Sequence, residues 1–230
     1  MERIIVVPDV HGRTFWRKVL DNTEDKIIFL GDYSDPYEYE GISHANALSE
    51  LEDIIKFKKE NMDRVILLLG NHDWHYINNI YKCSRFSAKY FTQYNELLLG
   101  NLPLFTIAYG NDGFLFTHAG VTQYWANHHN IGIEDTETIA AQLNYLFQND
   151  PNKFFEVGYS RGGWNKTGSP LWADISEHSV LPQWLPKGDY VQVFGHSQQT
   201  DNPASTDDGS LICLDCRKVW VLENDILNEY

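Results

Sequence analysis

The strongest constraint on this fold is a repeated pattern: a short, β-branched apolar run that ends directly in a polar, glycine-bearing cluster. Arg3-Ile-Ile-Val-Val-Pro8 runs into Asp9-Val-His-Gly12. Lys26-Ile-Ile-Phe-Leu30 runs into Gly31-Asp-Tyr-Ser-Asp35, and Arg64-Val-Ile-Leu-Leu-Leu69 into Gly70-Asn-His-Asp73. Runs this short and this rich in Ile and Val read as buried strands. Between the second and third, Ser43 to Asn61 carries Ala47, Leu48, Leu51, Ile54, Ile55 and Phe57 at helical spacing, with Ser43 as its candidate N-cap. Strand, helix, strand in this order predicts a parallel βαβ unit.

The pattern then changes. Residues 74–100 read as largely helical. Leu102–Tyr109 and Gly113–Thr117 read as strands joined at Gly110-Asn-Asp-Gly113, a good turn sequence. Glu134–Gln148 reads as a helix, and Tyr190–Phe194, Ser210–Leu214 and Lys218–Leu222 as late strands. Residues 158–188, rich in Gly, Pro and Trp, read as an ordered loop layer, with Trp164, Trp172 and Trp184 expected in the core beneath it rather than lining a cleft. With 230 residues and no repeat or linker, the expectation is one α/β domain spanning residues 1–230.

Composition narrows the function. A net charge of −14 argues against general nucleic-acid binding, which needs clustered Lys and Arg. It leaves phosphorylated substrates open, because bound divalent cations make a cleft locally positive. Cys83, Cys213 and Cys216 do not form a disulfide framework and are expected as small packing residues. No stretch suits a signal peptide or a membrane span, so a cytoplasmic protein with no membrane partner is expected.

In open parallel sheets, function gathers at the carboxyl ends of strands. The clusters there hold ligands for hard metals. Asp9 and His11 flank one strand end, Asp32 has two oxygens that can bridge cations, and Asn71 offers an amide oxygen. His118 and His196 follow two later strands. Each has an ordinary alternative: Asp9, His11 and Asp32 as turn residues, Asn71 with Asp73 as a helix cap, and His118 and His196 as histidines satisfied at strand ends. Six such residues together exceed what one structural zinc needs. They suit two ions about 3.5–4 Å apart, which would generate a bridging hydroxide near neutral pH. Mixed oxygen and imidazole ligands favour Mn, Fe or Zn over Ca, with Mn the first choice in vitro. His44, His75, His128, His129 and His178 read as surface or packing residues, with His75 one helical turn beyond His72 as a support for it.

In order along the chain, Asp9-Val-His11-Gly12, Gly31-Asp32-Tyr33-Ser34-Asp35, Gly70-Asn71-His72-Asp73, His118-Ala-Gly120 and Gly195-His196 resemble the five blocks of calcineurin-like metallophosphoesterases. The resemblance runs from residue 7 to about residue 216. It implies an α/β sandwich of two mixed sheets flanked by helices. It implies Asp9, His11 and Asp32 on one metal, and Asp32, Asn71, His118 and His196 on a second. His72 would protonate the leaving oxygen, with Asp35 orienting it. Leu171-Trp-Ala-Asp174, and Gln198 where many members carry another histidine, resemble the serine/threonine protein phosphatase branch.

One departure stands out. That branch usually places Arg after the second Asp of block two, where it grips the substrate phosphate, and this chain has Pro36. Arg161, in Ser160-Arg-Gly-Gly163, is the first candidate replacement and Arg13 the second. The expected function is hydrolysis of phosphomonoesters on protein or small-molecule substrates. A dinucleoside polyphosphate or phosphodiester hydrolase is the alternative, and a non-catalytic scaffold a third reading.

Overall fold

A computed structural model describes residues 3–132, 135–180, 190–224 and 226–230. The chain divides into two compact units, Met1–Thr106 with Arg217–Tyr230, and Ile107–Cys216.

The first unit is built on a six-stranded sheet. The three apolar runs become β1 (Ile4–Val7), β2 (Lys26–Phe29) and β3 (Val65–Leu68). With β4 (Phe105–Thr106) they form consecutive parallel pairs. Strand β10 (Trp220–Glu223) adds antiparallel to β1, and β11 (Ile226–Glu229) adds antiparallel to β10. The order is β11-β10-β1-β2-β3-β4. Helix α1 (His44–Glu60) is the β2–β3 crossover. Ser43 caps it and forms a capping box with Asn46, satisfying amides that the first turn otherwise leaves unpaired. Leu51, Ile54 and Phe57 of its apolar face join Ile5, Val7, Phe29 and Trp16 in one core.

Residues 74–100 are less helical than their composition predicts. Helix α2 covers Asn71–Asn78 and α3 covers Phe91–Gly100, separated by an irregular segment. Asn79, at φ 55°, ends α2 in the left-handed region that closes helices. Leu102–Tyr109 is likewise not one strand. Pro103 shapes a 3-10 turn at Leu102–Leu104, and the chain then contributes β4 to one sheet and β5 (Ala108–Asn111) to the other.

The second unit carries a five-stranded mixed sheet in the order β5-β6-β7-β9-β8. Its strands β6 (Phe114–Thr117), β7 (Val191–Phe194) and β9 (Leu211–Cys213) are parallel. Strands β5 and β8 (Ala204–Ser205) are the antiparallel edges. The β5–β6 hairpin turns through Asp112 and Gly113, both at positive φ, as a tight hairpin requires. Around the sheet lie α4 (Gln123–His128), α5 (Thr136–Asn149) and α6 (Ile175–Val180). Asn144 pins α5 to β5, its Oδ1 accepting from Ile107 N and Ala108 N at 2.9 and 3.1 Å.

The tryptophans divide. Trp172 is buried as expected, Trp164 is 91% exposed and so is not core, and Trp184 lies outside the described residues. Trp164 lies just after a short 3-10 turn at Tyr159–Arg161. Cys83, Cys213 and Cys216 are buried thiols without a disulfide. Among the described residues no helix is long and apolar enough to cross a membrane.

Burial in the second unit has a measurable consequence. His178, on α6, is buried with Nε2 3.2 Å from Ala119 O. Burial pulls its imidazole down to about 4, against the Ala119 carbonyl and Asp174, which raise it. An unfolded histidine titrates near 6.5, so between the two values the unfolded chain binds more protons and stability falls as the pH drops. The stability advantage of wild type over His178→Gln should therefore shrink by roughly 2 kcal/mol between pH 7 and pH 5. Urea unfolding of the metal-free proteins measures this, and parallel pH curves would refute it.

Candidate active site

The sheet order explains why distant clusters meet. β1, β2 and β3 are neighbours and parallel, so the loops after them leave the same edge. Backbone bonds join the first two loops: His11 N donates to Asp32 O at 2.7 Å, and Gly12 N to Tyr33 O at 3.1 Å. Asp73 joins the second and third. Its Oδ2 accepts from Asp32 N at 2.8 Å and Gly70 N at 3.0 Å. Its Oδ1 accepts from Tyr33 N, Ser34 N and the Ser34 hydroxyl at 2.9, 3.2 and 3.0 Å. Glycine permits the approach. A Cβ on Gly70 would lie 2.0 Å from Asp32 Oδ1, and Gly31 sits at φ 105° against Gly70.

Asp9, His11 and Asp32 are all buried, and each offers a ligand atom within 4.8 Å of the others'. His11 Nδ1 lies 2.7 Å from Ser34 O, so it carries the proton and Nε2 keeps its lone pair. That Nε2 lies 3.5 Å from Asp32 Oδ2. Burial, then the Asp9 and Asp73 charges, push the Asp32 carboxyl well above its usual range. Burial, then neighbouring His72 and Arg85, pushes His11 well below its own. Two carboxylates buried side by side with a neutral imidazole repel unless a cation lies among them, so this donor set fits a divalent metal. Asn71 opens α2, where its Nδ2 donates to Cys83 Sγ at 3.2 Å, which orients the amide.

Next to this triad is a polar relay. His72 Nδ1 and His75 Nε2 lie 2.7 and 2.9 Å from Asp35 Oδ2. Tyr76 donates to Asp35 Oδ1 at 2.6 Å. Cys83 N donates to His75 Nδ1 at 2.9 Å, which places the His75 proton on Nε2, facing Asp35. Burial alone would raise Asp35, but hydrogen bonding from His72 and His75 outweighs it and holds the carboxyl below the usual range. Burial pulls His72 down to about 4, and Asp35 opposes it. The expected support of His72 by His75 is thus indirect, through a shared carboxylate.

In the second unit, His118 follows β6 and His196 follows β7, and these are adjacent strands. Gly195 N donates to His118 O at 2.8 Å, and the two imidazoles approach to 3.1 Å, Nε2 to Nδ1. The edge of Trp172 faces His196 with ring centroids 6.2 Å apart.

The backbone is strained at these positions. His11, Asp32, Asp35 and His196 have φ of 45°, 54°, 54° and 63°. Left-handed non-glycine residues are uncommon and concentrate where geometry serves function.

The candidate phosphate clamps are otherwise engaged. Arg13 bonds Glu40 through Nε and Nη2 at 2.8 and 3.0 Å. Arg161 Nε lies 2.7 Å from Asp174 Oδ2, and its Nη2 donates to Ser197 Oγ at 2.7 Å. Sequence reading missed Arg85, whose Nη2 lies 3.4 Å from His11 Nε2 and 3.5 Å from His72 Nε2. It lies in the irregular segment between α2 and α3, where no periodicity or motif marks it.

The sequence profile of calcineurin-like phosphoesterases matches residues 2–213. The chain belongs to this family. No curated protein matches the sequence of this phosphoesterase. Among solved structures it is similar to a protein serine/threonine phosphatase from Saccharomyces cerevisiae with similarity to human phosphatase PP5. The two share 14% identity at a TM-score of 0.53, over 100% of this chain and 79% of the other. At that identity the likeness concerns the fold: two mixed sheets with flanking helices.

Proposed function

We propose that this phosphoesterase hydrolyses phosphomonoesters with two divalent metals, acting as one catalytic domain across residues 1–230. Asp9, His11 and Asp32 would hold one ion, and Asp32, Asn71, His118 and His196 the other. When bound, such ions supply Lewis acidity toward phosphoryl oxygens and lower the pKa of water. The observation that carries the reading is a buried Asp9–His11–Asp32 triad beside a His72–Asp35 pair on one sheet edge. His72 keeps Nδ1 on Asp35, so Nε2 is the atom that passes a proton to the leaving oxygen. A bound phosphoryl dianion favours the charged imidazole and offsets its burial.

Protein reconstituted with Mn, Fe or Zn should hold about two ions per chain and turn over an aryl phosphate, and a chelator should abolish this. Asp32→Asn should lose both ions together with activity. Wild-type protein inactive with all three metals, or an unaffected Asp32→Asn, would end this reading. A panel of phosphoserine peptide, dinucleoside polyphosphate and diester then ranks substrates by kcat/KM. The diester reading is kept because Pro36 replaces the expected arginine.

A further inference from the structure

Arg85 stands apart from the other arginines near the candidate site. Arg13 and Arg217 share Glu40, and Arg161 pairs with Asp174. Among the described residues Arg85 bonds no carboxylate side chain, in a protein of net charge −14. Its Nε donates to the backbone O of Asp35 at 3.0 Å, and its Nη1 to Ser84 Oγ at 3.4 Å. The guanidinium carbon lies 3.8 Å from the Tyr37 ring centroid, which holds the planar fork by cation–π contact. The backbone of Arg85 is itself left-handed, at φ 63°.

The remaining nitrogen, Nη2, faces two imidazole edges and, among the described residues, bonds no carboxylate. It is 3.4 Å from His11 Nε2 and 3.5 Å from His72 Nε2. These are a candidate metal-ligand atom and the candidate proton-donor atom. In the phosphoesterase reading, the phosphoryl group would lie near both. A guanidinium that is half-buried, fixed on an aromatic face and bonded to no carboxylate among the described residues is complementary to such a group.

We propose that Arg85 grips the phosphoryl oxygens of the substrate and so favours the dianionic monoester over the singly charged diester. This rests on the phosphoesterase reading of His72 and the metal ligands. Arg85 reaches the place from the α2–α3 segment, whereas the chain after Asp35 continues with Pro36, which has no donor. Tyr37 and the Asp35 carbonyl are its positioning contacts.

The experiment compares metal-loaded wild type, Arg85→Ala, Arg85→Lys and Tyr37→Leu, each with metal content and melting temperature measured. Inorganic phosphate binding is read by calorimetry, and KM and kcat are read on an aryl phosphomonoester and a bis-aryl phosphodiester. Arg85→Ala should weaken phosphate and raise the monoester KM by about 10- to 100-fold, with metal content unchanged. Arg85→Lys should recover part of this, since it keeps the charge and loses the fork. Diester kinetics should change by less than about threefold, because the diester offers one charge fewer.

Phosphate affinity within about threefold of wild type in Arg85→Ala, or no phosphate binding by wild type, overturns the assignment. Should Arg85→Ala fold poorly, unchanged phosphate affinity in Arg85→Lys and Tyr37→Leu together overturns it equally. The two readings fail separately. Arg85-dependent phosphate binding without turnover sinks the catalytic reading alone, and turnover indifferent to Arg85 sinks this one alone.

Discussion

Replacing His72 with Asn is expected to lower kcat on an alkyl phosphomonoester by about 10²- to 10⁴-fold, the usual contribution of a positioned general acid. The same variant should lose far less on a nitrophenyl phosphate. An alkoxide leaves poorly without a proton, whereas a nitrophenolate needs none. The His72 side chain is well placed for this role because the fold fixes it from behind. Nδ1 is held 2.7 Å from an Asp35 carboxylate that also meets His75 and Tyr76, so in the proposed reaction Nε2 would be the atom that faces the leaving oxygen. Asp35→Asn should act in the same direction, since it removes the charge that opposes burial and keeps His72 protonatable. Asn at position 72 preserves the polarity of the first turn of α2, so metal content serves as the control. Equal losses on both substrates would contradict the assignment, because a residue that only shaped the site would not respond to the leaving group.

The second large effect concerns stability. Asp73→Ala should destabilise the metal-free protein by about 4 kcal/mol or more, a large part of the 5–15 kcal/mol that holds most domains together. One buried carboxylate accepts four backbone amides and one hydroxyl from two loops. Its loss leaves several buried donors unpaired, each at about 1–3 kcal/mol, partly relieved by water entering the gap. Asp73→Asn should also destabilise, because its amide N–H₂ must face either the Asp32 and Gly70 amides or those of Tyr33 and Ser34. Urea unfolding reads the effect directly, and a loss under about 1 kcal/mol would show that the two loops hold their form without it. Activity should fall with stability, since Asp32 and Asn71 lie on those loops.

Much of the fold was legible because its signals are local. The Ile and Val runs fixed β1, β2 and β3, and the apolar stripe from Ala47 to Phe57 fixed α1. The edge strands were not. Ala204–Ser205 and Ile226–Glu229 are short or exposed, so they carry little apolar pattern and owe their form to a neighbouring strand. Trp164 misled because its size suggests burial, whereas a side chain in an irregular loop follows no periodic pattern that marks it as buried or exposed.

By itself, the sequence determined which residues are candidate metal ligands and that they stand at strand ends, since residue type and strand termination are read along the chain. The five motif blocks, and hence the family, follow from that order. Tertiary structure alone decided which oxygens and nitrogens face one another. It made Asp73 a staple between two loops, set two imidazoles on Asp35, and committed Arg13 and Arg161 to carboxylates. It also brought Arg85 beside His11, 74 positions away along the chain. Such contacts depend on the register of neighbouring strands and on the path of an irregular segment, and neither leaves a periodic trace in the sequence.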